Sequence, residues 1–236
     1  MRKRSPELSI VIITLNEEKN LDELLKSIRR QNYKDYEVII SDAGSKDRTR
    51  EIARKAGCQV VNGGLPARGR NLGARNARGE FIIFIDADVI LPEKFLDNVI
   101  EQIKREDADI ASVSLKPLTK SKLEKFLHKG YNLWQKITTR IDPHAAGCCI
   151  VVKRKIFKKI GGFEEDIKFA EDHAFARKAF RRGAKYKVLD AEIFVSVRRL
   201  KKEGSAVIVI KYILAALHRA FIGEIRNDLF KYNLKR

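Results

Sequence analysis

Residues 8–14 read Leu8-Ser-Ile-Val-Ile-Ile-Thr14, a nearly continuous run of apolar and β-branched side chains. Such a run is typical of a strand that is buried on both faces of a parallel sheet. The segment Phe81-Ile-Ile-Phe-Ile85 has the same character. Segments with helical spacing alternate with the strands, so the sequence predicts an α/β fold with a doubly wound sheet. The other predicted strands cover residues 36–40, 58–61, 109–115, 150–152, 186–189 and 193–197.

Helices are predicted between these strands, and two of them bear on function. The first helix is expected to start at Asn20 as its N-cap. In the helix over 123–137, the apolar stripe with Tyr131 and Trp134 is interpreted first as core, and stacking on a sugar or a lipid is the alternative. The other predicted helices cover 47–56, 67–77, 92–105, 154–160 and 171–182, and an apolar segment follows at 204–222.

The segment 204–222 is interrupted by Lys211, His218 and Arg219, so it lacks the ~20 apolar residues of a membrane span. Two interpretations remain open: an amphipathic helix in a membrane interface, or a helix packed on the sheet. The start of the chain, Met1-Arg-Lys-Arg4, is not followed by the pattern of a signal peptide. With 3 cysteines, the 236-residue chain does not resemble a disulfide-stapled scaffold, and a cytoplasmic location is expected.

The charge of the chain is uneven. The net charge is +18, of which residues 98–236 carry +15 (31 basic and 16 acidic) and residues 1–97 carry +3 (18 basic and 15 acidic). A positive charge of this size attracts polyanions: a nucleic acid, an anionic lipid surface or a phosphate-bearing substrate. Composition does not choose among them.

Three polar clusters follow predicted strands, and the carboxyl ends of parallel strands form the ligand crevice of such sheets. They are residues 14–17, residues 42–47 and the pair Asp86 and Asp88. Asp47 by itself is more typical of a helix cap. Two carboxylates placed one residue apart after a buried strand favour a divalent cation, Mn²⁺ or Mg²⁺, which binds carboxylates together with substrate phosphates.

Further candidates lie outside these clusters. Arg70 is placed to reach a diphosphate, with a solvated helix face as the alternative, and Gly69 and Gly73 beside it allow close backbone approach. Glu171 and Asp172 begin a helix, where the helix dipole alone explains one carboxylate and a general base is the other interpretation. The remaining histidines and cysteines of this half, His144, Cys148, Cys149 and His173, are interpreted mainly as structural residues.

Five ordered motifs resemble family 2 glycosyltransferases of the GT-A fold over about residues 8–200. They are Ser9-Ile-Val-Ile-Ile-Thr-Leu-Asn-Glu17, Ile39-Ile-Ser-Asp-Ala-Gly-Ser-Lys-Asp-Arg-Thr49, residues 67–80, Phe84-Ile-Asp-Ala-Asp88, and Ile160-Gly-Gly-Phe163 followed by Ala170-Glu-Asp172. The resemblance implies a mixed, mainly parallel sheet flanked by helices. It also implies a domain over 1–202, with a nucleotide-binding half at about 8–90, an acceptor-binding half at about 91–202, and a helical tail at 203–236.

The resemblance also implies an inverting enzyme with a nucleoside-diphosphate-sugar donor. Asp172 would be the catalytic base, and Glu171 would orient the base or the acceptor. Asp88, with Asp86, would hold the metal ion. The residues implied for the other roles are Thr14, Asn16, Glu17, Asp42, Arg70 and Asp86 at the donor, and His144 and Gly147 at the acceptor.

Some features depart from the family pattern. The loop Ser41-Asp-Ala-Gly-Ser45 lacks a further acidic residue that many relatives carry, which leaves the donor base open. Arg198-Arg199 stands where processive relatives carry Gln-x-x-Arg-Trp. A basic nucleic-acid-binding module and a carboxylate-based glycoside hydrolase are the alternative functions, although no nucleic-acid partner is expected. The acceptor is expected to be a glycan or a lipid-linked molecule, with peripheral contact at an anionic membrane.

Overall fold

One sheet of eight strands forms the centre of a computed structural model of the chain, which describes residues 4–230. Residues 1–3, and the last six residues of the predicted tail, lie outside the described part. In chain order the strands are β1 (Leu8–Thr14), β2 (Tyr36–Asp42), β3 (Gln59–Asn62), β4 (Phe81–Asp86), β5 (Val89–Ile90), β6 (Ile110–Pro117), β7 (Cys149–Lys153) and β8 (Tyr186–Val195).

The sheet is mixed, as predicted. Its order is β3-β2-β1-β4-β7-β6-β8-β5. The pairs β1 with β2, β1 with β4, β2 with β3, and β6 with β8 are parallel. The strand β7 runs antiparallel to both β4 and β6, and β5 runs antiparallel to β8.

Helices cover both faces of the sheet. They are α1 (Glu18–Arg29), α2 (Thr49–Lys55), α3 (Pro66–Arg75), α4 (Phe95–Arg105), α5 (Lys122–Thr138), α6 (Arg154–Ile160), α7 (Glu171–Arg181), α8 (Arg198–Glu203) and α9 (Ser205–Phe221), with a 3₁₀ helix at Asp228–Phe230. Alternate residues of β1 explain the arrangement: Ile10 and Ile12 pack in one buried cluster with α1 and α4, whereas Val11 packs in another with α3, α6 and α7. The predicted burial of β1 on both faces is confirmed.

Besides small shifts at helix ends and the unpredicted helix α8, the elements differ from the sequence predictions at α1, β8 and β5. The helix α1 begins at Glu18 because the Glu17 carbonyl accepts the first backbone hydrogen bonds, and Asn20 lies inside the first turn. The two short strands predicted at 186–189 and 193–197 are one strand, β8. Its pairing with β6 shifts register between Ser112 and Ser114, so the intervening residues 189–191 of β8 do not interrupt the strand. The two-residue strand β5 was not predicted.

The predicted core stripe of α5 is wrong, because most of its apolar side chains are exposed. The helix α9 packs one face on the segment before α7, where Ala215 is buried against Phe169 and Ala170. Within residues 4–230, no helix combines the length and apolarity needed to cross a bilayer.

Candidate active site

The carboxyl ends of β1, β2 and β4 meet at one rim of the sheet. Thr14 lies opposite Asp42 in the register, and Ile13 lies opposite Asp86. The Thr14 hydroxyl donates a hydrogen bond of 2.8 Å to the Asp42 carboxylate. The three polar clusters singled out in the sequence therefore lie together, because neighbouring parallel strands end on the same side.

Asp42 and Asn16 shape the two loops that follow β2 and β1 at this rim. The Asp42 carboxylate is buried and accepts hydrogen bonds from the backbone N–H groups of Gly44 and Ser45 at 3.1 and 2.9 Å. Asn16 adopts a φ of +54° and accepts a hydrogen bond from the Lys46 N–H. These contacts hold the β1 and β2 loops against each other.

Asp47 has the capping role that the sequence favoured for it. Its carboxylate accepts hydrogen bonds from the backbone N–H groups of Glu18 and Thr49, at the starts of α1 and α2. It thereby serves the first turns of two helices.

Arg70 joins the two halves of the chain beneath the rim. Its guanidinium is 3% exposed, and it donates to the Glu171 carboxylate at 2.8 Å, to the Asp86 carboxylate at 3.2 Å and to the Gly147 carbonyl at 3.0 Å. The alternative of a solvated helix face is wrong for this residue. A buried guanidinium with this set of acceptors fixes the carboxylates of β4 and α7 relative to each other.

The close packing of α3 on β1 places Arg70. A Cβ added to Gly73 would lie 2.3 Å from the Cγ1 atom of Val11, and one added to Gly69 would lie 3.2 Å from Ile13. Only glycine permits the helix to lie this close, as the sequence predicted. The next residue, Asn71, hydrogen-bonds the backbone of Phe163 in both directions, which ties the same helix to the second half.

Asp172 reaches the same place from α7. A Cβ added to Gly147 would lie 2.6 Å from its Oδ2 atom. The loop that contains Gly147 reaches the rim because β7 runs antiparallel to β4, and the Asp86 N–H donates to the Cys148 carbonyl. Gly147 is therefore the point at which Arg70 and Asp172 converge.

Burial dominates the titration of these carboxylates. Desolvation, together with repulsion between the two neighbours, raises the pKa of Glu171, and desolvation raises that of Asp172 although Arg70 opposes it. The Asp86 side chain is one-third exposed at the rim, yet desolvation raises its pKa to about 7 against the opposing effect of Arg70. A carboxylate with a raised pKa is a stronger base than one in water.

Asp88 faces a cation that the sequence did not assign to the site. The Nη2 atom of Arg198 lies 3.2 Å from the Asp88 carboxylate and 3.1 Å from that of Glu17, which is buried. Beside this bridge runs a groove whose basic lining residues are Lys19, Arg198, Lys201 and Lys202. The groove suits an anionic ligand next to Asp88.

The described residues do not form a complete metal cage. Within residues 4–230, no three His, Cys, Asp or Glu side chains are grouped so that they hold a metal ion. Asp86 and Asp88 present only carboxylate oxygens, the donors that Mg²⁺ and Mn²⁺ prefer, and Arg198 already neutralises Asp88 with a positive charge. The donor set fits a hard divalent ion whose other ligands come from a diphosphate and water.

The predicted acceptor residue His144 lies in a buried cluster. The Trp134 ring packs against it at a tilt of 40°, with 3.9 Å between the ring centroids, and the Arg219 guanidinium lies 3.3 Å from its Nε2 atom. Arg219 also contacts the Nδ1 atom of His173 at 2.7 Å. His173 is a buried residue of α7, in agreement with its interpretation as a structural residue, and its contact with Arg219 links α7 to α9 beside Asp172.

The sequence model of the family described as Glycosyl transferase family 2 matches residues 9–161 of the chain. The chain belongs to this family. Among similar proteins, the uncharacterized glycosyltransferase EpsJ of Bacillus subtilis is 29% identical over 209 residues, which cover 80% of this chain and 60% of EpsJ. The poly(ribitol-phosphate) β-N-acetylglucosaminyltransferase TarS of Staphylococcus aureus is 25% identical over 213 residues, 84% of this chain and 36% of TarS. The chain thus spans less than two-thirds of either relative.

Solved structures share the GT-A fold of the family. The mannosyltransferase PcManGT of Pyrobaculum calidifontis, in complex with GDP-Man and Mn²⁺, aligns with a TM-score of 0.73 at 20% identity, over 97% of this chain and 68% of its own. TarS residues 1–349 in complex with UDP-GlcNAc align with a TM-score of 0.68 at 20% identity, over 90% of this chain and 66% of that one. The predicted fold class is confirmed.

Sequence reasoning missed the roles of Arg198 and Arg219. Both lie beyond the segment matched by the family model. The sequence indicated Arg198 only as a departure from the motif of processive relatives, and Arg219 only as an interruption of the apolar segment 204–222. Arg198 is 110 residues from its partner Asp88, and Arg219 is 46 residues from its partner His173. The only signal was the presence of isolated arginines among apolar and basic residues, and such a pattern names no partner.

Proposed function

We propose that this chain is an inverting glycosyltransferase, which moves a sugar from a UDP- or GDP-linked donor to an acceptor hydroxyl or phosphate. The observation that carries the proposal is the buried bridge from Arg70 to Asp86 and Glu171, with Asp172 adjacent at Gly147. In a member of this family, that bridge connects the rim of the sheet to a pair of carboxylates suited to proton transfer. Relatives named as transferases, and solved neighbours in complex with UDP-GlcNAc or GDP-Man, support the donor class.

The donor would occupy the rim formed by β1, β2 and β4. Thr14, Asn16, Glu17 and Asp42 line its nucleotide end in this proposal, and Asp86 would lie near the ribose. The basic groove beside Asp88 offers positive charge to the diphosphate. Its location at the carboxyl ends of parallel strands agrees with the general position of nucleotide sites in such sheets.

The metal ion in this proposal is Mn²⁺ or Mg²⁺, held by Asp88 and Asp86 together with the donor diphosphate. When bound, the ion would neutralise charge on the departing nucleoside diphosphate. Arg198, which contacts Asp88, would exchange this carboxylate for the phosphates of the donor in the proposed complex.

Asp172 would accept the proton of the acceptor nucleophile. As the acceptor oxygen bonds to C1 of the sugar, the bond from C1 to the diphosphate oxygen breaks on the opposite face, and the configuration at C1 inverts. Its raised pKa suits a base. Glu171 stays fixed on Arg70 and would orient the acceptor, with His144 and Gly147 at the acceptor wall.

The acceptor is proposed to be a glycan or a lipid-linked molecule such as a polyprenyl phosphate. The positive charge of residues 98–236 favours an anionic acceptor over a neutral one. The apolar helices beside His144 favour one that is carried at a membrane surface.

Thermal unfolding with a panel of UDP- and GDP-sugars tests the proposal. In the presence of Mn²⁺ we expect nucleotide sugars of one base, uracil or guanine, to raise the melting temperature, because a ligand that binds only the folded state stabilises that state. The increase should vanish with EDTA and in Asp88→Ala, and it should persist in Asp190→Ala, an exposed aspartate on β8. Stabilisation by an oligonucleotide alone, with none by any nucleotide sugar, would contradict the proposal in favour of a nucleic-acid-binding module.

A further inference from the structure

The helix α9 turns its apolar stripe toward solvent. Five large apolar side chains recur at intervals of three and four residues, and each is at least half exposed. The opposite face, with Ile208, Ala215 and Arg219, is the buried one. A helix that simply closes a domain shows the reverse arrangement. The exposed residues are Val207, Ile210, Leu214, Leu217 and Phe221.

The helix α5 has the same inverted arrangement. Its buried residues are polar, Glu124 and Gln135, and Gln135 hydrogen-bonds Ser112 and the His144 carbonyl. Its large apolar residues point outward, with exposures from 59% to 71%. These residues are Leu123, Phe126, Leu133 and Ile137, at intervals that again follow one face of the helix.

The charge between these apolar side chains is almost entirely positive. Apart from the buried Glu124, neither helix contains an acidic residue. In the described part of the chain, the exposed basic residues of α5 and Arg140 just after it form no ion pair with a carboxylate. A groove alongside α5 adds Lys116 and Lys120 to its lining. The basic residues of α5 are Lys122, Lys125, Lys129 and Lys136.

Both helices border the proposed acceptor side of the site. Trp134 of α5 and Arg219 of α9 contact His144 from two directions. Arg219 continues to His173, the residue after Asp172. An apolar surface attached to α7 in this way lies where an acceptor would approach Asp172.

We propose that the exposed apolar and basic side chains of α5 and α9, here called the α5–α9 surface, dock on an anionic lipid bilayer. The lysines lie among the apolar side chains of α5, whereas the exposed stripe of α9 is apolar and uncharged. Together they match the interface of such a membrane, where acyl chains lie beneath negative headgroups. A second copy of the chain is a poorer occupant, because it would bring the same positive charge. Docking of this surface does not depend on donor binding, so vesicle binding and donor binding test the two proposals separately.

Vesicle sedimentation of the full chain tests the apolar half of this proposal. We expect binding to vesicles of equal parts phosphatidylglycerol and phosphatidylcholine, and little binding to phosphatidylcholine alone. Ile210→Glu with Leu217→Glu on α9, and separately Phe126→Glu with Ile137→Glu on α5, should each lower the partition coefficient about tenfold or more. The control Leu65→Glu replaces an exposed leucine elsewhere and should bind as the original chain does.

Charge reversal tests the electrostatic half. Lys125→Glu with Lys129→Glu should lower binding to anionic vesicles about tenfold and weaken its salt dependence. Arg54→Glu with Arg75→Glu makes the same change in net charge on exposed residues of α2 and α3, and should have little effect. Circular dichroism and donor-induced thermal stabilisation, unchanged in each variant, would show that fold and donor site are intact.

Three results would overturn the proposal. The first is an absence of sedimentation with anionic vesicles. The second is binding that the α5 and α9 variants reduce no more than their controls do. The third is a dimer in sedimentation equilibrium that the same apolar substitutions dissociate, which would assign the surface to a second copy. If the unsubstituted chain binds no nucleotide sugar but does bind anionic vesicles, the proposed function is refuted and the docking proposal is not.

Discussion

Arg70 holds together carboxylates that are distant in sequence. It lies 16 residues from Asp86 and 101 residues from Glu171, and all three meet beneath the rim. The sequence predicted a functional Arg70 from the glycines around it, but it predicted a diphosphate contact rather than a bridge to α7. The spacing of residues does not reveal that Arg70 pairs with Glu171, because the two are distant in sequence. The close packing of α3, in contrast, requires Gly69 and Gly73, which are visible in the sequence.

Replacement of Asp172 tests its proposed role as the base. Asp172→Asn preserves size and the hydrogen bond from the His173 N–H to Oδ1, but it removes the proton acceptor. We expect turnover to fall about 10²- to 10⁴-fold with donor affinity unchanged, measured by nucleoside diphosphate release and by titration calorimetry. Asp190→Asn, on an exposed aspartate, serves as the matched control. Near-normal turnover of Asp172→Asn would assign the base to another residue.

At the scale of elements, the contact of α3 with β1 sets the position of Arg70. Gly73→Ala would place a methyl group 2.3 Å from Val11, and we expect it to lower the free energy of unfolding by about 1–3 kcal/mol. Gly130→Ala in α5 meets open space and should stabilise the chain by up to about 1 kcal/mol. Urea unfolding measures both. Equal effects of the two substitutions would show that α3 does not pack on β1 as described.

The junction of α5, α7 and α9 predicts an acid-sensitive fold. Arg219 donates to the Nδ1 atom of His173, which must therefore be unprotonated, and its guanidinium also lies 3.3 Å from the Nε2 atom of His144. Burial, reinforced by the neighbouring positive charges and opposed by Asp142, lowers the pKa of His144 to about 3, and burial lowers that of His173 well below its usual value.

Between pH 6.5 and pH 3 the unfolded chain therefore binds more protons at these histidines than the folded chain does. The free energy of unfolding is therefore unaffected by these histidines well above pH 6.5, and it declines as the pH falls below that value. From pH 7.5 to pH 5, His144 alone should lower the free energy of unfolding by about 2 kcal/mol. Urea unfolding at both values checks this, with His144→Gln expected to show a smaller decline. An identical decline in the variant would place the effect elsewhere.

The strands and helices differ in how far the sequence predicted them. Residues 8–14 and 81–85 were predicted correctly because burial on both faces requires continuous apolar side chains. The continuity of β8 was not, because its exposed residues Asp190 and Glu192 resemble a turn. The stripe of α5 has the spacing of a core helix, but periodicity shows that a helix has an apolar face without showing which way that face points.

At the scale of the molecule, one sheet unites a nearly neutral first part with a strongly basic second part. The strands β1, β2 and β4 supply the rim residues Thr14, Asp42 and Asp86, and β7, β6 and β8 continue the same sheet. The rim was predictable because its residues follow strands directly. The contacts of the cluster around His144 were not, because the cluster is built by the loop before β7 and by helices that meet only in the folded chain.

Anomalous diffraction from crystals grown with Mn²⁺ and the preferred nucleoside diphosphate tests the donor site most directly. We expect a manganese peak at the carboxylates of Asp86 and Asp88, with the diphosphate next to it, the base beside the β1 and β2 loops, and Arg198 no longer paired with Asp88. A diphosphate bound elsewhere, with Arg198 still on Asp88 and no manganese at this rim, would contradict it.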